Sequence, residues 1–436
     1  MKKTILKIGL LLSTVNLIMA ACSDYDFNDI NTPPRTNSNV SHEIRSYEDA
    51  LRIAQASISM LDNSKSQTRG LSAIRKIDMN EKSIVKMDAK TRTNQNINDT
   101  LIYVFNFENN EGFALVSASK NTEGLIAITE KGHYVPNVRS ENEGFNLFME
   151  MAKQYIIKKG ITEIDTTETL YGVDTVYVHN ITGPYVSVKW GQDNPEGEFC
   201  PNNKSGCAAT AMAQVMSYYE YPNLMSLTYY GHDLSNQYFN WSSMKAHAPE
   251  YPSGLPSCNS DTHKSISRLC RQLGERAGSS YLTGETSTRT DSIRPCMVYY
   301  GYQTSTNSYG NWAVFSENNI RNALDNGQLL FVKGMRRLEN GSFGDGHIWV
   351  ADGYDNLTTT IYAYSYKNGS DEITIDFVIG PTQNVYYHFN WGWYGSCNGY
   401  FTGTVFNSDN VTFPDTPNNS QGYYANVNVA TLAVWK

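Results

Sequence analysis

The chain has 436 residues, room for two domains after a leader, and its 40% apolar and 18% charged content is that of a folded protein, not a disordered one. Net charge is −8 without a basic cluster, which argues against nucleic acid as the main partner, since phosphate binding needs concentrated Lys and Arg. Only eight histidines occur, with no His-Glu-x-x-His arrangement and no Cys-x-x-Cys pair, so no metal site is expected, and no cofactor.

Lys2 and Lys3 open a segment that is mostly apolar over 5–21 and ends Met19-Ala20-Ala21-Cys22. It reads as an export signal, too short and too promptly ended to span a membrane. Small residues directly before a cysteine resemble the bacterial lipoprotein box, although leucine is more usual where Met19 stands. The resemblance implies that residues 1–22 are signal and lipobox, that Cys22 carries lipid, and that the exported chain is membrane-anchored at the cell envelope. The outer membrane or cell surface is the expected site, with release after processing; a plain signal peptide cut near Ala21 is the alternative. Residues 23–45 are polar and read as a tether.

Residues 46–183 read as a small α+β domain. Leu51, Ile53, Ala54, Ile58 and Leu61 recur with a helical period; 101–107, 113–118 and 125–129 are strand-like; Phe145 to Ile156 marks a second amphipathic helix, ended near Gly160. Up to Gly160 this unit holds no cysteine and one histidine, His133, and nothing in it suggests chemistry. Thr162 to Pro184 is less regular and polar, the kind of stretch where nicking concentrates.

The second unit, 186–436, is also α+β, and four of its stretches carry candidate chemistry. Trp190-Gly191-Gln192 comes first: the Gln192 side chain could donate to a developing oxyanion, or it could belong to a surface loop. Next, Ser205 and Gly206 precede good helix formers, so a helix begins beside Cys207, with Thr210, Gln214 and Ser217 on one stripe and apolar residues elsewhere. A thiol at that positive end is biased toward thiolate, although a free cysteine is as often inert core. A second helix is expected over 264–277. His347 follows Cys207 by 140 residues, after Gly346 and at the head of an apolar strand; it could be a base or a satisfied structural histidine. Last, Asn390 in His388-Phe389-Asn390-Trp391-Gly392 could hold an imidazole, with Trp391 as its shield, or the stretch could simply pack. His388 is a rival catalytic histidine on the same strand face as Asn390.

Together these stretches resemble the streptopain family of papain-like bacterial cysteine proteases. The pattern Gln-x-x-Pro is Gln192 to Pro195, Gly-Cys-x-Ala-Thr-Ala runs from Gly206, Gly-His is Gly346-His347, and Asn-Trp-Gly-Trp-x-Gly starts at Asn390. Gly112 to Ser117 resembles a strand of the family's propeptide domain. The resemblance implies an α+β architecture, a papain-like catalytic domain preceded by a small α+β propeptide domain, that acts on protein or peptide substrates. It implies Cys207 as nucleophile, His347 as proton acceptor, Asn390 as orienter, Trp391 as cover, Gln192 as oxyanion donor and Gly346 as support. It also implies that 46–183 is an inhibitor of its own chain, removed by cleavage. The sequence departs from the pattern in an extra hairpin over 361–379, in a loop at 407–421 poor in glycine, and in Cys200 and Cys397 near catalytic elements. A blocked binding lipoprotein on the same fold, and another thiol acyl-transfer enzyme, are the competing readings.

Overall fold

The computed structural model describes residues 44–63, 75–87, 100–160, 172–229, 232–246, 260–282, 284–305, 312–337, 343–366, 373–406 and 427–436. The export signal, Cys22, most of the tether and the 407–421 loop lie outside the described residues. Helix α1 (Tyr47–Asn63) starts where the Ser46 hydroxyl accepts the Asp49 N–H at 3.0 Å, a side-chain cap. Four strands follow, β1 (Ser83–Lys86), β2 (Thr100–Asn106), β3 (Phe113–Ser117) and β4 (Leu125–Thr129), paired antiparallel in that order. Helix α2 (Glu143–Gly160) is capped by Asn142, whose side-chain oxygen accepts the Phe145 N–H at 3.0 Å. Alternation along the strands makes both sheet faces apolar: Tyr103, Phe105, Ala114 and Val116 pack with α1, while Ile102, Val104, Phe113 and Leu115 share a core with Phe145, Phe148 and Met151 of α2.

Residues 162–184 were expected to be irregular, but their second half forms β5 (Gly172–Val178) and β6 (Ile181–Thr182). Then come α3 (Cys207–Tyr219), the hairpin β7 (Leu224–Tyr229) and β8 (His232–Tyr238), α4 (Trp241–Ala246) and α5 (Ser260–Arg276). Short pieces follow: β9 (Ser280–Tyr281), β10 (Thr286–Ser287), α6 (Ile293–Tyr299), β11 (Gln303–Thr304), β12 (Ala313–Val314) and α7 (Glu317–Asp325). The chain ends in β13 (Leu329–Arg337), β14 (Phe343–Tyr366), β15 (Ile373–Asn390), β16 (Gly399–Thr402) and β17 (Val427–Trp435). The extra hairpin expected at 361–379 is the far part of the β14–β15 ladder, and β5 pairs with β14 there, Thr175 opposite Ile361.

One face of β13, β14 and β17 (Phe331, Ile348, Val350, Leu432) packs on α3, α5 and α6. The other face (Leu330, Val332, Trp349, Ala351) packs on α2 and α7. The two expected domains therefore share a sheet: β4 pairs with β16, placing Thr129, Ile128 and Ala127 opposite Gly399, Tyr400 and Phe401. The fold is α+β throughout, with α3, α5 and α6 of the second unit on one side of its sheet and α7 on the other.

Candidate active site

Cys207 is the first residue of α3, and residues 208–217 are all buried, so the helix is a rigid mount. Gly206 sits before it at φ +80, a backbone region that strains other residues, and an added Cβ would meet the Thr286 side chain at 2.9 Å. No side chain caps this helix start. Burial pushes the Cys207 thiol up, but the hydrogen bond and charge of His347, with the N–H groups of Ile348 and Ala208, outweigh it and hold the thiol below its ordinary value. The shift in His347 is the mirror image. Burial pushes its ring down, and contact with Cys207, the Trp391 carbonyl and the charge of Glu143 lift it above the usual histidine value. Both shifts favour one proton moving from sulfur to ring.

His347 lies in β14, four residues in from its start, not at the strand entrance as expected. Gly346 lets that strand pass its neighbour, since a Cβ there would meet Met335 Cγ at 3.1 Å and the Gly334 carbonyl at 3.3 Å. The ring stacks on Trp349, centroids 6.1 Å apart, and its Nε2 donates to the Trp391 carbonyl at 3.0 Å. That leaves Nδ1 for Cys207.

The Asn390 side chain does not hold the ring. Its oxygen accepts from Gln214 Nε2 at 2.9 Å and from the Gly392 N–H at 3.2 Å, and its amide donates to the Val188 carbonyl at 2.8 Å. Asn390 ties β15 to α3 and thereby sets the turn whose next residue offers the carbonyl to His347. Trp391 thus supplies the acceptor instead of shielding a His–Asn bond. Its indole N–H donates to the Cys397 carbonyl at 2.9 Å.

Gln192 is fixed through its main chain: the Ser205 N–H and hydroxyl donate to its carbonyl at 2.7 and 3.0 Å, and Thr210 donates to the Gly191 carbonyl at 3.1 Å. Its side-chain amide nitrogen is buried and finds no acceptor among the described residues. A donor held in place and unused beside a helix start suits an anion that forms only during reaction.

His388 is bound elsewhere. Its Nδ1 meets Asp352 at 2.6 Å and its Nε2 lies 3.7 Å from Glu130. Burial lowers its pKa, Asp352 and Glu130 raise it, and the net result is about 9.

The first unit reaches this centre directly. A Cβ on Gly144, at the start of α2, would lie 2.5 Å from Trp391 Cε3 and 2.6 Å from His347 Cδ2. Beside it, the Asn142 amide donates to the Ser396 carbonyl at 3.3 Å. Sequence reasoning missed Gly144 and Asn142, and no local signal marks them. Thr210 and Gln214 were visible as a polar stripe on a buried helix, which was the signal for their work at Gly191 and Asn390.

Among known proteins, residues 190–401 match the family described as the peptidase C10 family, and residues 39–156 match the Spi protease inhibitor. The chain is similar to streptopain from Streptococcus pyogenes, 25% identical over 349 residues that cover 73% of this chain and 77% of the relative. It is also 25% identical to the thiol protease/hemagglutinin PrtT of Porphyromonas gingivalis, over 70% of this chain and 34% of that one. Among solved structures it overlays a fragment of Prevotella intermedia prointerpain A, TM-score 0.47 and 17% identity, over 81% of this chain and 98% of the other.

Proposed function

From a chain that carries a peptidase C10 domain behind a Spi-type inhibitor domain, and so is a streptopain-like protease with its propeptide, we propose a lipid-anchored zymogen whose chemistry runs through Cys207 and His347. The observation that carries this reading is the thiol at the head of α3 in hydrogen-bond contact with a histidine whose other nitrogen is engaged by Trp391. The Cys207 thiolate attacks a peptide carbonyl carbon, and the oxygen takes up the negative charge beside the Gln192 amide and the Cys207 N–H. The His347 imidazolium gives its proton to the leaving amine. His347 then takes a proton from water, which attacks the thioester and releases the acyl product. The reaction is cleavage within protein chains. Asn390 acts indirectly, by fixing Trp391.

In the precursor, the start of α2 occupies the space over His347 and Trp391, where substrate would have to lie. The inhibitor works by covering the centre, since Cys207 and His347 remain in contact beneath it. Cys22 is the lipidated residue that holds the chain at the outer membrane or cell surface.

The test compares the full-length chain with its Cys207→Ala variant for hydrolysis of an unfolded protein substrate. Self-processing and hydrolysis are expected from the first and neither from the second. Equal hydrolysis by both sinks the nucleophile, and a precursor as fast as its processed form sinks the inhibition. Incorporation of labelled fatty acid in the native host, lost in Cys22→Ser, tests the anchor separately.

A further inference from the structure

Cys200 lies on the loop that runs from Gln192 to Cys207, and that loop is laid along α5 rung by rung. The Pro195 carbonyl accepts from His263 at 2.7 Å, and the Phe199 N–H donates to the Ser267 hydroxyl at 2.9 Å. The Arg268 guanidinium covers the Phe199 ring at 5.3 Å. About two turns further, the Tyr281 hydroxyl rests against Gly274, and the same hydroxyl lies close enough to the Cys200 thiol to lower its pKa. Cys200 therefore sits between Ser267 and Gly274 along the helix, at the level of Cys270 and Arg271. Ser267 and Cys270 are three residues apart, so they share a face of α5. Both cysteines are buried, Cys200 3% and Cys270 0% exposed, and both are reduced. Apart from burial, Cys200 is the strongest influence on the Cys270 thiol, and Arg271 on that of Cys200.

The other described cysteines are engaged elsewhere. Cys207 faces His347, the Cys296 thiol points to the Leu273 carbonyl at 3.9 Å, and Cys397 lies 3.7 Å from the Ser396 hydroxyl.

We propose that Cys200 and Cys270 are a disulfide site, joined in the exported protein by an oxidising disulfide of the thiol–disulfide oxidoreductase class. The Cys200 thiolate attacks one sulfur of the oxidant disulfide and releases the other as a thiolate. Cys270 then attacks the Cys200 sulfur and releases the second thiolate. The protein gives up two electrons and two protons, and the oxidant becomes a dithiol. Burial raises both thiols, Cys200 to about 12, so few thiolates form in the closed fold. The bond therefore forms while the loop is still open during folding, and once buried it resists reductants. Its effect is to pin the Gln192 loop to α5 on the side away from the inhibitor, so the oxyanion donor stays in place when the propeptide leaves.

The test uses the full-length chain with Cys207→Ala, so that its outcome is independent of protease activity. The protein is produced in a bacterial periplasm, alkylated after denaturation, and mapped by mass spectrometry without reductant. The peptide bearing Cys200 should be joined to the one bearing Cys270, with a mass lower by two hydrogens. Reduction should lower Tm by several degrees in this chain and leave it unmoved in a further Cys270→Ser variant. Alkylated Cys200 and Cys270, or Cys270 joined to Cys296, would overturn the assignment; both readings come from the parent chain even if the serine variant fails to fold.

Discussion

At the scale of single residues, the Gln192 amide has its worth in what it does not touch. It is buried without an acceptor among the described residues, so its removal is expected to cost little stability and to show in the reaction. Gln192→Ala in the processed enzyme should lower kcat by ~10²–10³-fold with KM nearly unchanged, the usual result of losing one oxyanion donor; steady-state kinetics check this, and a rise in KM alone would make Gln192 a binding residue. His388 behaves in the opposite way. Its folded pKa, about 9, lies above the unfolded value, so its contribution to stability is complete below roughly pH 6.5 and is lost as pH rises through about 9. Urea midpoints of the Cys207→Ala precursor should fall between pH 6 and 10, and His388→Gln should flatten that fall. The sequence showed both histidines on strands and could not rank them beyond the glycine before His347. What separates them is the company each keeps, Cys207 for one and Asp352 for the other, and that is decided by the pairing of β14 with β15. Asn390 was legible as a site residue but not in its role, because a main-chain acceptor such as the Trp391 carbonyl leaves no trace in a residue pattern.

At the scale of elements, the α2 start is the piece most exposed to a single atom's change. Gly144→Ala adds a carbon where Trp391 and His347 already stand, and overpacking of this kind costs ~1–3 kcal/mol. Alanine also favours a helix over glycine by ~1 kcal/mol, so helix propensity alone predicts a tighter precursor. The clash should prevail and raise precursor hydrolysis or self-processing by roughly tenfold; slower processing in the variant would mean that α2 does not bear on the centre. Helices α1 and α2 were readable from periodicity, and α3 and strands β2 to β4 as apolar runs, because these are buried on all sides. The pairing of β4 with β16 was not readable, since it joins strands some 270 residues apart in sequence and any apolar edge strand would have served. The register of β5 on β14 was hidden for the same reason: Val173, Val176 and Val178 are compatible with a strand but do not name its partner.

At the scale of the whole chain, the shared sheet and the core that runs from Phe145 and Phe148 to Phe401 and Phe406 make inhibitor and protease one cooperative body. The Cys207→Ala precursor should therefore unfold in a single calorimetric transition, coincident by fluorescence and circular dichroism; two separated transitions would show independent domains. The joint between β4 and β16 has a further consequence once a cut separates the halves. While the chain is whole, the inhibitor faces its site at an effective concentration in the millimolar range, set by the connecting segment. After scission the same contacts persist, but occupancy depends on the actual concentration of fragments. Molecules crowded on a membrane would keep one another shut, and those shed into dilute surroundings would open. Onset of activity would then be governed by dispersal as much as by the cut itself.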